Sequence, residues 1–451
     1  MATRLSSTTW FGTPHRSMMS SISNSHILLG LVILLIGLQY TYCQLYNSVP
    51  NLSTFYGSGP RRWIVSGNFS SITVNTTTYN NLNNIAVWNG TSWKGLGNGT
   101  NGLIRTSYVD TCFNMYIGGD FSTAGGVSTG PIARWSIPLR RWEGFSNNIT
   151  WAKNSSIRSI TVDCFNTPSE ISKCSCNVWM AGNFEIVLSD GQDKAINLAM
   201  YQVHTDTWFS LRNDSDHNLT RSMTVNTVLK RDLGQTFHSR KTFFGGDFPF
   251  ILTWDPYYKI WENIPLLDPN ASVSHIHFHK AVLDSSFFDL WNYVISGSFN
   301  FESNATDSNS TILCNNICML HFRDSNWIEV PDSDLITGPV SRVSTTDEHI
   351  YMVGDIVGSD FNYLAAVNVS GLNSALVNST SVTTSGFNDV YACKLVDLDC
   401  ALGSLGLVDK DGAVWFFDSD TKTYHQFGQV NPYGIVQSIT SVYLYFLSDF
   451  M

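Results

Sequence analysis

The chain has 451 residues, with 26 Lys and Arg against 36 Asp and Glu, giving a formal net charge of −10. That balance excludes a nucleic-acid-binding role built on a basic surface. With 13% aromatic and only 14% charged residues, the composition also excludes intrinsic disorder, because it supplies ample apolar surface to bury.

Residues 1–26 contain Arg4 and Arg16, many Ser and Thr, and no acid. Ile27–Leu38 is an uncharged apolar run, and the small residues Thr41 and Cys43 precede Gln44. This is the pattern of a secretory signal peptide with cleavage before Gln44; initiation at Met18 or Met19 would give its n-region an ordinary length. The alternative is an uncleaved anchor, but the run is shorter than the roughly 20 apolar residues that a span needs. The sequence therefore predicts a leader over 1–43, a single domain over 44–451, and no membrane span in the mature chain.

Beyond the leader one unit keeps returning. Its sharpest copy is Met115–Phe145, MYIGGDFSTAGGVSTGPIARWSIPLRRWEGF. The first half recurs at Trp63–Phe69, Val178–Phe184, Thr242–Phe248 and Tyr293–Phe299, and more weakly at Ile350–Ile356 and Tyr443–Phe450. The spacing of about 50 to 65 residues lies in the range of propellers and solenoids. The second half recurs at Asn84–Leu96, Asn197–Leu211, Phe250–Ile264, Ile317–Val330 and Ala413–Phe427. It carries an aromatic on each side of a polar turn: Trp135/Trp142, Tyr201/Trp208, Trp254/Trp261 and Phe417/Tyr424 at one spacing, Trp88/Trp93 and Phe322/Trp327 at a shorter one. Such a pattern predicts a β-hairpin, with facing aromatics adding about 0.2–1 kcal/mol per pair. Alternating runs such as Ile157–Asp163, Val273–His279 and Val340–Ser344 precede the glycines. Each unit thus reads as four short antiparallel strands, and the chain as an all-β propeller of seven blades, with six or eight as alternatives. The glycines are expected where strand two turns sharply or meets a neighbour too closely for a Cβ.

The hydrophobic run, paired glycines and spaced aromatics resemble the kelch repeat. The phrase GGDFSTAGGVSTGPIARW is similar to the propeller repeats of the fungal cortical bud-site-selection and polarity-marker family, and to those of amoebal surface proteins. The resemblance covers most of Asn51–Phe450 and implies a cell-surface role, possible in cell organisation or polarity.

Asn-x-Ser/Thr sequons are dense: Asn51, Asn75, Asn89, Asn98, Asn148, Asn154, Asn213, Asn218, Asn270, Asn304, Asn309, Asn368 and Asn378. They predict a glycosylated extracellular surface. A further sequon at Asn68 lies within the glycine motif and is expected to sit too close to the sheet for modification. Apart from Cys43, eight cysteines remain: Cys112, Cys164, Cys174, Cys176, Cys314, Cys318, Cys393 and Cys400. An even number in a secreted chain suggests disulfides. Cys314–Cys318 and Cys393–Cys400 are candidate local pairs. Cys164 has Cys174 or Cys176 as partner, and the cysteine left over has Cys112. Most are expected near the turn between strands one and two.

Val436–Val442 reads as a first strand able to complete the first blade, since closure removes unpaired edges. Tyr443–Phe450 would then be surplus, belonging either to an incomplete eighth blade or to a shortened form of a longer protein.

Candidate chemistry is sparse. His275, His277 and His279 share one face of a strand and could ligate zinc or copper; the reading preferred is a polar strand face, with no metal or other cofactor. Asp120 and Asp247, with Asn68 and Asn183 in equivalent places, could bind calcium, but Asp/Asn exchange favours a cap on local backbone. The hairpin tryptophans are read as packing before sugar platforms. The chain has no sialidase turn with its acid and no recognisable oxidase copper domain. The function expected is a secreted or surface-bound binding module for an extracellular protein or glycan, not an enzyme; a glycan-active oxidase or sialidase is the alternative.

Overall fold

The computed structural model describes residues 62–88, 91–110, 114–136, 139–145, 149–165, 175–188, 193–211, 222–230, 241–255, 258, 260–266, 268–281, 290–304, 311–321, 326–330, 333–345, 349–357, 362–368, 395–401, 404–409, 411–418, 423–432 and 434–442. The chain divides into two units, 1–59 and 60–451. The leader and its cleavage site lie outside the described residues, as do Tyr443–Phe450, and the second unit is described by itself.

That unit is all-β, and its described residues form seven antiparallel sheets of three or more strands. The first sheet joins Ile435–Val442 to Arg62–Asn68, Ile85–Trp88 and Trp93–Gly95. The second runs Leu103–Val109, Met115–Asp120, Ile132–Ser136, Arg141–Glu143, and the third Ser156–Phe165, Ser175–Val187, Lys194–Gln202, Thr207–Ser210. The fourth runs Val225–Lys230, Thr242–Gly246, Phe250–Asp255, Ile260–Pro265, and the fifth Ser272–Ala281, Leu290–Asn304, Thr311–His321, Trp327–Ile328. The sixth has Val340–Thr345, His349–Val357 and Asn362–Asn368. The seventh has Leu395–Ala401, Ser404–Asp409, Ala413–Asp418 and Thr423–Val430. The first strands touch in that order, Leu103–Val109 against Ser156–Phe165 and so on to Leu395–Ala401, which touches Ile435–Val442; that strand in turn touches Leu103–Val109. This arrangement is compatible with a β-propeller.

The second strands are apolar throughout because both their faces are covered. Side chains alternate between faces of a strand, and here each face meets a different sheet. Met115 and Ile117 pack with Ile64 and Ile85 of the first sheet, whereas Tyr116 packs with Ile157 and Val178 of the third. Val178 and Met180 face back to Tyr116, while Trp179 and Ala181 face forward to Val228 and Phe244 of the fourth. The aromatic hairpin positions belong to the same cores. Trp135 and Trp142 lie directly opposite each other, as do Tyr201 and Trp208, Trp254 and Trp261, and Trp88 and Trp93. Their ring centroids are 4.8–5.4 Å apart. Phe417 and Tyr424 are opposed in register too. One expected pair is corrected: Trp327 lies opposite Leu320, not Phe322, which is outside the described residues. The longer spacing therefore governs this hairpin as well, with leucine in the aromatic's place.

The second glycine of the motif is explained by a bulge that recurs in every first strand. Pairing skips one residue each time: Arg105, Arg158, Asn226, Ser274, Ser341, Val396 and Gln437. A bulge inserts an extra residue and kinks its strand. Opposite it, in six of these sheets, the first-strand backbone crowds the glycine. A Cβ on Gly119 would lie 2.1 Å from the Leu103 carbonyl oxygen, and on Gly67, Gly182, Gly246, Gly297 and Gly354 within 2.0–2.2 Å of the matching carbonyls. The first glycine serves the next sheet, since a Cβ on Gly118 would meet Ile157 at 2.5 Å and on Gly245 would meet Val273 at 2.3 Å.

Asparagine fastens successive sheets. Asn84, just before its third strand, and Asn197, at an irregularity within its third strand, have φ of 75° and 63°. Asn84 Oδ1 accepts the Phe69 N–H at 2.9 Å, and its Nδ2 donates to the Thr100 and Gly102 carbonyls at 2.9 and 3.0 Å. Asn197 repeats this with the Phe184 N–H and the Met223 carbonyl. One amide thus ties its own glycine turn to the chain entering the next sheet. Asn316, also left-handed at φ 60°, lies between Cys314 and Cys318. A straight strand would hold these cysteines roughly 13 Å apart; here pairing is irregular and their Cα atoms are 5.3 Å apart, with the sulfurs at bonding distance. Both are in a third strand, which departs from the expected turn between strands one and two. Cys164 is joined to Cys176, directly opposite in register.

Replacing Gly119 by Ala is expected to destabilise the protein by about 1–3 kcal/mol, because backbone cannot yield as a side chain does. Gly144→Ala, whose nearest neighbour would be at 3.3 Å, is expected to cost less than about 1 kcal/mol. Thermal unfolding of the two variants measures the difference; equal midpoints would contradict the crowding argument.

Candidate functional site

The bulge side chains are the most informative polar series. Arg105 donates to Asp120 through Nε (3.0 Å) and Nη2 (2.5 Å). Arg158 Nη1 donates to Asn226 Oδ1 at 2.9 Å, Asn226 Nδ2 donates to Asp247 Oδ1 at 2.7 Å, and Ser272 Oγ donates to the same oxygen at 2.9 Å. The chain from Arg158 through Asn226 and Asp247 to Ser272 thus links the third, fourth and fifth sheets, while Arg105 and Asp120 pair within the second. Asp120 and Asp247 were expected to cap local backbone; instead their carboxylates hold first-strand side chains. Burial alone would raise the Asp120 pKa, but the hydrogen bond from Arg105, the Ser156 hydroxyl alongside, and the charges of Arg105 and Arg158 outweigh it and hold the group below its ordinary value.

In the third, fourth and fifth sheets the residue after the bulge forms a seam to the next first strand. Ser159 Oγ accepts the Val228 N–H at 3.2 Å, Thr227 Oγ1 accepts the Ile276 N–H at 3.3 Å, and His275 Nδ1 accepts the Val343 N–H at 3.2 Å. His275 therefore stands where other sheets have Ser or Thr, and does the same work. Its ring centroid is 5.8 Å from that of His277, as one strand face predicts. His279 is buried, and neither ring nitrogen has a hydrogen-bond partner. Burial lowers its pKa to about 4. His275 is lowered well below its ordinary value, by desolvation first and then by Arg342 and His277.

Among the described residues, the only group of three potential metal ligands with donor atoms within 4.8 Å of one another is Asp110, Cys164 and Cys176. The two sulfurs are bonded to each other, so no thiolate is on offer. Asp110 instead accepts the Asn114 N–H at 2.7 Å and the Tyr116 hydroxyl at 3.1 Å.

At the junction of the second and third sheets lies a cleft of ≈ 640 Å³, with Asn101, Arg105, Asp120, Trp151, Lys153 and Arg158 in its walls. Trp151 is held in place by edge contacts with Phe184 and Trp208, centroids 5.8 and 5.7 Å away. Its indole approaches Gly130 so closely that a Cβ there would lie 2.4 Å from Nε1. Trp151 was missed in sequence reading because it falls outside the hairpin repeat. Arg158 lies in the alternating run Ile157–Asp163 read as a strand, but nothing in the sequence marked its meeting with Arg105.

Of the predicted glycosylation sites, Asn75, Asn98, Asn154 and Asn270 are exposed. Asn68 is exposed too, contrary to the expectation that the sheet would shield it. Asn304 and Asn368 end strands. Asn51, Asn89, Asn148, Asn213, Asn218, Asn309 and Asn378 lie outside the described residues, as do Cys112, Cys174 and Cys393. Cys400 falls in the strand Leu395–Ala401.

The lowered His279 pKa has a signed consequence. The unfolded chain takes up this proton near pH 6.5 and the folded one only near pH 4. Stability is therefore expected to fall as pH drops through that window, by up to about 3 kcal/mol from this group. Denaturant unfolding between pH 7 and pH 4 measures it, and a His279→Phe variant is expected to flatten the slope.

No protein-family profile matches the chain, and no curated protein matches its sequence. Among solved structures, it is similar to the computationally designed Ika8 protein, at 12% identity and a TM-score of 0.41, over 84% of this chain and 98% of that one.

Proposed function

We propose that this protein is a secreted, N-glycosylated β-propeller of seven blades that acts as an extracellular binding module. Seven sheets whose first strands touch in succession, with Ile435–Val442 paired to Arg62–Asn68, support a closed ring. In that reading the strand from the far end of the described chain completes the first blade and leaves no open edge there. The kelch-like spacing of glycines and aromatics supports the same architecture, and the likeness to polarity-marker and amoebal surface propellers supports a place at the cell surface. The cysteine pairs Cys164–Cys176 and Cys314–Cys318 suit an oxidising compartment. No helix among the described residues is long and apolar enough to cross a membrane.

The observation that carries the binding role is the series of bulges. They bring a polar side chain of successive first strands to equivalent positions, on backbone already locked by sheet pairing and by the seam. A rigid polar surface of this kind recognises a ligand at little conformational cost. A glycan is the ligand class favoured, because the cleft between the second and third sheets combines an aromatic wall with amides and hydroxyls.

Expression in a eukaryotic secretory system is expected to yield medium-borne protein whose mass falls on peptide-N-glycosidase treatment, with Asn75, Asn98 and Asn270 modified. Saturable binding to a glycan array or to cells, without turnover, is the expected activity. Retention of the chain in the cytosol, or unmodified sequons, would overturn the extracellular reading.

A further inference from the structure

Resting on the binding-module reading, we propose that the cleft between the second and third sheets is a site for a carboxylate-bearing sugar. In this assignment Arg158 and Lys153 take the carboxylate and Trp151 forms the wall against the sugar ring.

The charge distribution points to an anion. The chain carries a net charge of −10, yet the cleft walls hold three cations, Arg105, Lys153 and Arg158, against one carboxylate, Asp120. Asp120 is already held by both nitrogens of the Arg105 fork, so the pair largely neutralises itself. Arg158 is different. Its Nη1 donates to a neutral amide oxygen, that of Asn226, and its charge acts on Asp120, whose carboxylate is bonded by the Arg105 fork instead. Asp247 lies beyond Asn226 and bonds to that amide rather than to the guanidinium. A half-buried guanidinium whose hydrogen bond goes to a neutral amide gains from a carboxylate, because charge-assisted hydrogen bonds are about twice as strong as neutral ones. Lys153, exposed in the same wall, adds a second cation whose long stem reaches a bound anion.

Size and shape point to a sugar. A cleft of ≈ 640 Å³ is within the usual range for small-ligand sites, roughly 300–1,000 Å³, and takes one or two sugar rings. Trp151 is fixed by Phe184, Trp208 and the missing side chain at Gly130, so ordering it costs nothing on binding. Asn183, Ser122 and Ser155 complete a wall of amides and hydroxyls, which suits ring hydroxyls better than an apolar ligand. Bulges place Arg105 and Arg158 at equivalent register positions of adjacent sheets, which is why the two guanidinium groups share one cleft.

The test is calorimetric titration of the full secreted chain with oligogalacturonate, against uncharged oligogalactose and a polyglutamate peptide. Oligogalacturonate is expected to bind, more weakly as salt is raised. Lys153→Gln and Arg158→Gln are each expected to weaken it by about tenfold. Lys153 is exposed, so that variant stays informative if Arg158→Gln fails to fold. Equal affinity for the neutral sugar, or indifference to Lys153→Gln, overturns the assignment. Preference for polyglutamate also overturns it, in favour of an acidic protein partner. Binding to neutral glycans or to cells that ignores these substitutions would sink this site while leaving the binding module standing; no binding to any glycan, protein or cell would sink both.

Discussion

The close approach of a first-strand carbonyl to a glycine on the second strand is the constraint on which the rest depends. Each first strand gains one residue at this point, and the extra residue cannot pair. A side chain on the facing strand would collide with backbone, so glycine is required at Gly119, Gly182 and Gly246 alike. The kink does two things at once. It sets Arg105, Arg158 or Asn226 apart from the paired residues on either side. It also lets the next side chain, Ser159, Thr227 or His275, reach an N–H of the neighbouring first strand.

Packing between sheets then follows from alternation. A strand such as Ser175–Val187 gives Val178 and Met180 to one interface and Trp179 and Ala181 to the other. Neither face is left for water, so such strands are hydrophobic throughout rather than on one side. The aromatic hairpins extend these cores outward, and Trp142 Nε1 closes one of them by donating to the Leu96 carbonyl at 3.0 Å. Asn84 and Asn197 add polar fastening beside the glycine turns. Because each sheet is held on both faces, the side chains at the bulges sit on a framework with little freedom, and recognition there rests on placement rather than on adjustment.

Two polar features gain different meanings from this framework. The three alternating histidines look like a ligand set when only their strand is considered. In place, His275 substitutes for the seam hydroxyls of other sheets, and His279 is a buried neutral ring. The acids at the ends of the glycine motifs look like turn caps. In place, Asp120 and Asp247 receive side chains of first strands instead, which directs the cations of the second and third sheets toward a common cleft.

The sequence by itself determined the four-strand unit, its recurrence, the glycine position and the opposition of Trp135 with Trp142 or Tyr201 with Trp208. These depend on residues near one another in the chain, where turn length and alternation dictate register. Even the Leu320–Trp327 pairing follows from the longer hairpin spacing, although the aromatic at Phe322 drew attention to the wrong neighbour. Tertiary structure alone decided where the bulges fall, because an unpaired residue in a first strand leaves no mark on composition and only interrupts alternation. It also decided that Arg105 and Arg158, far apart in sequence, face one cleft with Trp151, and that the Cys314–Cys318 pair, a local candidate by sequence, lies within a third strand rather than at a turn. Those outcomes depend on how a kinked backbone and two stacked sheets orient side chains in space, and no local pattern carries that information.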